Sequence, residues 1–372
     1  MPDVLFVSKP VAPPWNDSSK NLVRDVAGNL ARHTPIVMGR VGQMNPLGIG
    51  RMVPVYARGS GTSFSPRLRD NLGVLTHLLL GPSADVWHFF FAPNPKTSLA
   101  GKLAARSRRI PTVHTVCSMP PPAAALGKLV FADVTVVLSR LARDRFVSEG
   151  VHRDALRLIP PCVLPLAEPT RARRSELRVK HRLPESAPVW IYPGDLEHGG
   201  GASITVRGFA ASGRRDAVLL MACREKTAKA AGARSALIEQ TQRWGIHTRV
   251  RWIGETPYIH ELLALSDFVL LPNRSPFAKM DYPLVALEAM CMARPVLLGM
   301  GTPAAELAED GGAIAIETDG EALAEAIEKL SSDTGGCEAL GRRARQLTLQ
   351  KFAPRLVATA YEELYERLLP QR

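Results

Sequence analysis

No two cysteines in this chain stand close enough to form a CxxC pair; the five lie scattered at Cys117, Cys162, Cys223, Cys291 and Cys337. That spacing argues against zinc or a disulfide framework and predicts reduced thiols in a cytoplasm, packed as small core residues. No apolar run approaches the roughly 20 residues that cross a bilayer. The opening MPDVLFVSKP lacks the basic lead and long apolar core of a secretory signal, so it reads as a first strand. HExxH, GxSxG, a glycosidase-type carboxylate pair and a DxD pair at a strand end are all missing, so no metal is expected. Acid is in deficit: 47 Lys and Arg face 35 Asp and Glu, for a net charge of +12. Such a balance favours anionic partners: nucleotides, phosphates or acidic lipid headgroups. Arginines gather at Arg106, Arg108 and Arg109 and again from Arg171 to Arg182, without aromatic interleaving. No nucleic-acid partner is expected from them. The runs read as solvated faces, with peripheral docking on an anionic membrane as their second meaning.

What is present is alternation. Apolar, β-rich runs at 4–8, 85–91, 111–116, 133–138 and 156–159 are separated by stretches of helical periodicity. A second series starts at Val189 with VWIYPG and continues at 217–223, 248–254, 267–272, 294–299 and 312–316. Between the two series, PPCVLPLAEPTRARRSELRVKHRLPESAP is rich in Pro and Arg and reads as a linker with one short helix. The length of 372 residues is too great for one ordinary core. The expected organisation is a domain over 1–165, a linker over 166–187, a second domain over 188–352, and a helix over 353–372 packing back toward the first domain. Continuous apolar strands alternating with helices mean parallel sheets covered on both faces, joined by right-handed crossovers. The fold class is therefore α/β, with two doubly wound Rossmann-like domains facing a cleft. Ligands of such folds sit at the carboxyl ends of the strands.

The most informative stretch is SPFAKMDYPLVALEAMC, Ser275 to Cys291. Pro283 suits the first turn of a helix and Asp281 is placed to cap it. Leu284, Leu287, Glu288 and Cys291 then fall on one stripe, which puts Glu288 on the inward face. An unpaired buried carboxylate costs several kcal/mol, so something polar must meet it: a buried Arg, backbone donors or a ligand's hydroxyls. Four further places carry candidate chemistry. GDLEHGGG, Gly194 to Gly201, is neither a P-loop nor a dinucleotide fingerprint; it is a tight turn or an anion-receiving entry to a helix. Arg224 and Lys226 in ACREKT follow a buried strand, as exposed loop charges or as phosphate ligands. His114 in PTVHTVCS lies near a strand's carboxyl end, as a structural residue or a hydrogen-bond donor and proton shuttle. His88, within DVWHFFF, reads as a core residue. PPWNDSSKNL, Pro13 to Leu22, opens a helix capped by Asp17 or Ser18, with Lys20 near its start.

Together these residues resemble glycosyltransferase family 4, whose architecture is GT-B, over nearly the whole chain. The resemblance is strongest in HELLALSDFVLLPNRSPFAKMDYPLVALEAMCMARPVLLGMGTPAAELAEDGGAIAI, His260 to Ile316. It implies a retaining transfer of sugar from a nucleotide-diphosphate sugar to an acceptor hydroxyl, in glycan, glycolipid or glycosylated natural-product biosynthesis, with no cofactor. Glu288 matches the family's ribose-binding glutamate, and the amides of Leu284 and Val285 would face the diphosphate. His114 matches a histidine near the transferred sugar. The first loop, with Asn16, Ser18, Ser19 and Lys20, falls on the acceptor side, Ser18 and Ser19 standing where the family often has two glycines. Other departures are sharper. Asp195 and Gly200 stand where the family places a phosphate-binding Arg and Lys, after the strand that ends in Gly194. Met280, with Asp281 beside it, stands where the first acid of a glutamate pair is usual. Arg224 and Lys226 are then expected to carry the diphosphate charge, and Lys279 and Asp281 to hold the sugar. Two alternatives stay open at this point: a nucleotide-sugar epimerase of the same fold, and a basic, non-catalytic binding protein that retains it.

Overall fold

The computed structural model describes residues 1–59, 67–120, 125–225, 227–275 and 279–370. It divides into two units, one comprising Met1–Leu164, Phe277–Leu284 and Lys351–Arg372, the other Pro165–Pro276 and Val285–Gln350. The strands of the first unit are β1 (Asp3–Val7), β2 (Thr34–Arg40), β3 (Arg51–Tyr56), β4 (Val86–Phe91), β5 (Thr112–Val116), β6 (Val134–Val137) and β7 (Leu156–Leu158). They form a seven-stranded parallel sheet in the order β3-β2-β1-β4-β5-β6-β7. Between them run α1 (Ser18–Ala27), α2 (Leu68–Leu80), α3 (Pro95–Arg108), α4 (Leu126–Leu129) and α5 (Arg140–Ser148). Leu5, Met38, Trp87 and Phe89 lie in one buried cluster on this sheet.

The second unit opens with α6 (Arg171–Lys180). Its strands are β8 (Val189–Tyr192), β9 (Val218–Met221), β10 (Val250–Trp252), β11 (Phe268–Leu271), β12 (Val296–Gly299) and β13 (Ile314–Ile316). They make a six-stranded parallel sheet in the order β10-β9-β8-β11-β12-β13. The helices are α7 (Gly201–Ala211), α8 (Lys229–Arg243), α9 (Ile259–Leu265), α10 (Leu284–Cys291), α11 (Glu306–Glu309), α12 (Gly320–Ser332) and α13 (Thr334–Lys351). The last helix, α14 (Pro354–Leu368), is part of the first unit, where it packs on α1. Among the described residues no helix is long and apolar enough to cross a membrane.

Two strands escape the apolar pattern, β2 and β3. Proline argues against a strand because it removes a ladder donor. Here Pro35 is the second residue of β2, and Pro54 lies in β3 at the sheet edge, where a missing donor is tolerated. The segment 166–187, expected as a linker with one short helix, carries α6 and groups with the second unit. Its arginines are not all solvated. Arg178 is 8% exposed; it donates from Nη1 to the Ala187 carbonyl at 3.0 Å and from Nη2 to Asp267 at 2.9 Å. Arg174 donates to the same carboxylate. In the first arginine group, Arg108 closes the end of α2 by donating to the carbonyls of Leu79 and Gly81. The charge runs thus act partly as internal staples, because a guanidinium fork can satisfy several carbonyls at once.

A buried polar network fastens α14 to the first sheet. His88 bridges Tyr365 Oη at 2.6 Å and Thr115 Oγ1 at 2.7 Å, and the Thr115 and Tyr361 hydroxyls lie 3.1 Å apart. Glu362, 2% exposed, accepts from the backbone amides of Ala31 and Arg32 and lies 3.3 Å from His33 Nδ1. Replacing Glu362 with Ala leaves those buried donors unmatched. Urea denaturation should show a loss of about 2 to 4 kcal/mol; an unchanged midpoint would mean that α14 is not held through this carboxylate.

Candidate functional site

In the second sheet the strand order runs outward in opposite directions from the adjoining pair β8 and β11. Such a reversal opens a crevice at the carboxyl ends of that pair. The loops leaving those ends are stitched together. Arg224 N donates to the Gly194 carbonyl at 3.1 Å, and Asp195 and Arg224 form an isolated parallel bridge. Arg274 N donates to the Gly199 carbonyl at 2.8 Å, while its side chain reaches the Thr318 carbonyl at 2.9 Å. Tyr192 Oη donates to the Asp195 carbonyl at 2.9 Å.

This loop must be glycine-rich for two reasons. Gly200 takes φ +72°, the left-handed region, and enters α7 with no side-chain cap. A Cβ on Gly201 would lie 2.6 Å from Asn273 Oδ1 and 2.8 Å from Tyr192 Oη. The start of α7 is therefore bare backbone, whose amides and helix dipole suit an anion. Asn273 is a residue that sequence reasoning passed over. It follows β11, is 6% exposed, and its Oδ1 has no partner among the described residues. Neither periodicity nor a motif marks it; only its place at the strand reversal does.

The charges near this loop are rearranged relative to expectation. Asp195 is 3% exposed and receives Arg224 Nη2 at 3.4 Å. The acid at a position where a cation is usual is thus matched by an arginine from the neighbouring strand end. Lys226 lies outside the described residues. Glu288 is on α10, but at the margin of the buried stripe rather than in it. Leu284, Leu287 and Cys291 are 5% exposed or less, whereas the Glu288 side chain retains 18% exposure. Its partner is neither an arginine nor a sequence neighbour: His260 Nε2 of α9 lies 3.3 Å from Glu288 Oε1. Val285, one turn before Glu288, is half-buried.

In the first unit, Asp17 caps α1 by accepting from the amides of Ser19 at 3.0 Å and Lys20 at 3.2 Å. Burial would raise its carboxyl pKa, but Lys9 at 2.7 Å and these hydrogen bonds outweigh it and hold the group far below the usual carboxylate range. The Ser19 hydroxyl also bonds Asp17, at 2.5 Å, so it is engaged in the cap. Ser18 begins the helix, half-buried, and Asn16 precedes the cap, exposed. Lys20, in the first turn of α1, is 3% exposed, with Nζ 5.8 Å from the Trp15 ring, and burial lowers its pKa. Asp281 is also buried, at 3%, and accepts from Ser139 Oγ at 2.6 Å. Ser139 in turn caps α5 through the Ala142 amide. Lys279, two residues ahead of Asp281, is half-buried. Lys9, Asp17 and Asp281 all act electrostatically on the Cys117 thiol, which burial and the two acids push above its usual range. These groups therefore gather at the carboxyl edge of the first sheet. Among the described residues no cluster of three or more His, Cys, Asp or Glu could hold a metal ion.

Residues 187–333 match the model of the family described as glycosyl transferases group 1. Over those residues the chain is similar to that family. A search of curated proteins finds no match. Solved structures match it end to end. Anabaena Alr3699/HepE in complex with UDP has a TM-score of 0.79 at 18% identity, covering 98% of this chain and 100% of that one. Its complex with UDP-glucose scores 0.78 at 17% identity, covering 99% and 100%. Sucrose-phosphate synthase from Thermosynechococcus elongatus scores 0.76 at 18% identity, covering 99% of each chain. WaaG, described as a glycosyltransferase involved in lipopolysaccharide biosynthesis, scores 0.70 at 15% identity, covering 98% and 99%. At such identities the likeness is one of fold, and that fold is GT-B.

His114 is not at a strand's end. It sits mid-way along β5, pairs in register with Phe89 and Thr135, and is 1% exposed. Its ring packs 4.3 Å from that of Phe91 and 5.0 Å from that of Phe131. Nε2 lies 3.1 Å from the Phe91 carbonyl. A carbonyl only accepts, so Nε2 carries the proton and Nδ1, which has no partner among the described residues, is the bare acceptor. Burial draws the pKa down to about 4, so the ring is neutral near pH 7. Between the unfolded value and the folded one, the unfolded chain binds the extra proton. Stability therefore rises with pH across that window and is lost as pH falls through it, by about 3 kcal/mol in all. Urea midpoints of wild type and His114→Leu, compared at pH 7 and pH 4.5, should show a smaller acid loss in the variant. Equal acid losses would refute the buried neutral ring.

Proposed function

We propose that this chain transfers a sugar, with retention of configuration and without a bound metal, from a nucleotide-diphosphate sugar to an acceptor hydroxyl. The observation that carries the reading is Glu288 on α10, within the stretch matched by the family, keeping 18% side-chain exposure beside His260. A carboxylate so placed can accept both hydroxyls of a ribose, and His260 biases its orientation. The diphosphate then falls to the bare amides that open α7, to the amide of Val285 at the start of α10, and to Arg224, which Asp195 steadies. These fixed dipoles and one guanidinium stabilise the charge that develops on the leaving diphosphate. The leaving phosphate itself faces the developing oxocarbenium ion. Uridine is the first base to test, because Alr3699/HepE has been solved with UDP and with UDP-glucose.

The acceptor is assigned to the first unit, at the β1–α1 loop and the edge where Asp281 and Ser139 lie. Lys20 and Ser19 shape that edge from within, through the cap and the Trp15 contact. His114 lies behind Phe91 and supports the strand rather than the sugar.

Titration calorimetry with UDP and with uridine separates the two halves of the donor proposal. Glu288→Ala should weaken both ligands by about ten- to a hundredfold, the worth of a charge-assisted hydrogen bond or two. Arg224→Ala should weaken UDP while leaving uridine alone. UDP affinity unchanged in both variants would sink the assignment. Incubation with a panel of nucleotide-sugars tests the reaction: free nucleotide should appear only when an acceptor is present, whereas sugar inversion in the donor alone would make the protein an epimerase.

A further inference from the structure

A cavity of about 660 Å³ opens in the first unit, among the residues that follow β4 and β5. Its walls include Leu99 and Ser98 of α3, Leu129 of α4, and Phe131, with Lys102 and Lys128 also lining it. The volume is within the range of sites that enclose small-molecule ligands, roughly 300–1,000 Å³. Pro93 and Pro120, from the loops after β4 and β5, line it too, so the cavity lies on the carboxyl side of the sheet, where doubly wound folds bind ligands.

Three features of the cavity point to one kind of occupant. Its walls are mainly apolar, and Leu99 is 58% exposed, as is Leu103 one turn further along α3. Apolar side chains left in water beside a cavity favour a ligand with a hydrocarbon part. Neither Lys102 nor Lys128 has an ion-pair or hydrogen-bond partner among the described residues, and no acidic side chain is among those lining the cavity. Two ammonium groups with no counter-charge favour an anion. Ser98 is 3% exposed, and its Oγ has no partner among the described residues although the residue lines the cavity. A buried hydroxyl left unmatched is a cost that a polar ligand group removes.

We propose that this cavity holds the hydrocarbon chain of a phosphate-headed lipid, with the phosphate between Lys102 and Lys128, and that the acceptor is of this class. The substrate assignment rests on the sugar-transfer reading above; the binding assignment does not. The pairing of an apolar cavity with unmatched cations selects an amphiphile over a free sugar or a free anion. It also gives the basic excess of the chain a local use.

Binding of dodecyl phosphate to the full chain, followed by titration calorimetry below its micelle concentration, tests the cavity. The expected result is saturable one-to-one binding that Lys102→Glu with Lys128→Glu weakens by about tenfold or more. Leu99→Asn, at an exposed position, should weaken it as well and serves should the double charge reversal disturb folding. Inorganic phosphate should bind far more weakly than dodecyl phosphate, and dodecyl maltoside should fail to compete. Equal binding of inorganic phosphate, full competition by the maltoside, or affinity untouched in both variants would overturn the proposal. UDP titrated into the same preparations reads the donor side separately. Loss of UDP binding by the wild type with retention of dodecyl phosphate would count against the transfer reading alone.

Discussion

Hydrogen bonding between β8 and β11 is the constraint on which the candidate donor site depends. Because these strands are neighbours in space while nearly eighty residues separate them in sequence, their crossovers leave toward opposite edges of the sheet. The loop after β8 and the loop after β11 are then forced side by side. Gly201 follows from that crowding, while Gly199 and Gly200 follow from the left-handed turn. Tyr192 and Asn273 stand where a Cβ on Gly201 would go. Nothing in this arrangement needs a dedicated phosphate motif, which is why the chain can lack one.

The second theme is the use of charge inside the protein. Arg178 ties α6 to the second sheet, Arg108 ends α2, and Arg224 answers Asp195. The guanidinium groups of Arg178 and Arg108 sit where several oxygens converge, an arrangement that lysine's point charge satisfies less well. Glu362 plays the converse part, an acceptor for the amides of Ala31 and Arg32 in the loop after α1. Buried polar groups of this kind specify position as well as stability, since an element that shifts leaves a charge unmatched. The lysines at the cavity beside α3 are different, having no such partner among the described residues.

Most strands were legible, because parallel strands buried on both faces are continuous apolar runs. β2 and β3 were not, because Pro35 and Pro54 break the pattern that marks a strand; Pro54 is tolerated because β3 lies at the sheet edge. Within the site, Gly194 to Gly201 and Glu288 were readable from spacing. His260 and Asn273 were not, since each matters through a contact that spacing does not encode. His114 was misplaced by a few residues, and in a parallel sheet that distance separates a ligand contact from the core. Lys20 was placed at a helix start from sequence, but its burial beside Trp15 is a tertiary fact.

The sequence by itself determined the periodicities, and hence the two series of strands and helices, the glycine-rich turn and the acid on α10. These are local properties, set by the backbone and by side-chain alternation over a few residues. Tertiary structure alone decided which strand ends adjoin, that Arg224 meets Asp195, that His260 meets Glu288, and that a cavity opens beside Ser98. Those outcomes depend on packing between segments far apart in the chain, where a shift of one residue moves a side chain from solvent to core.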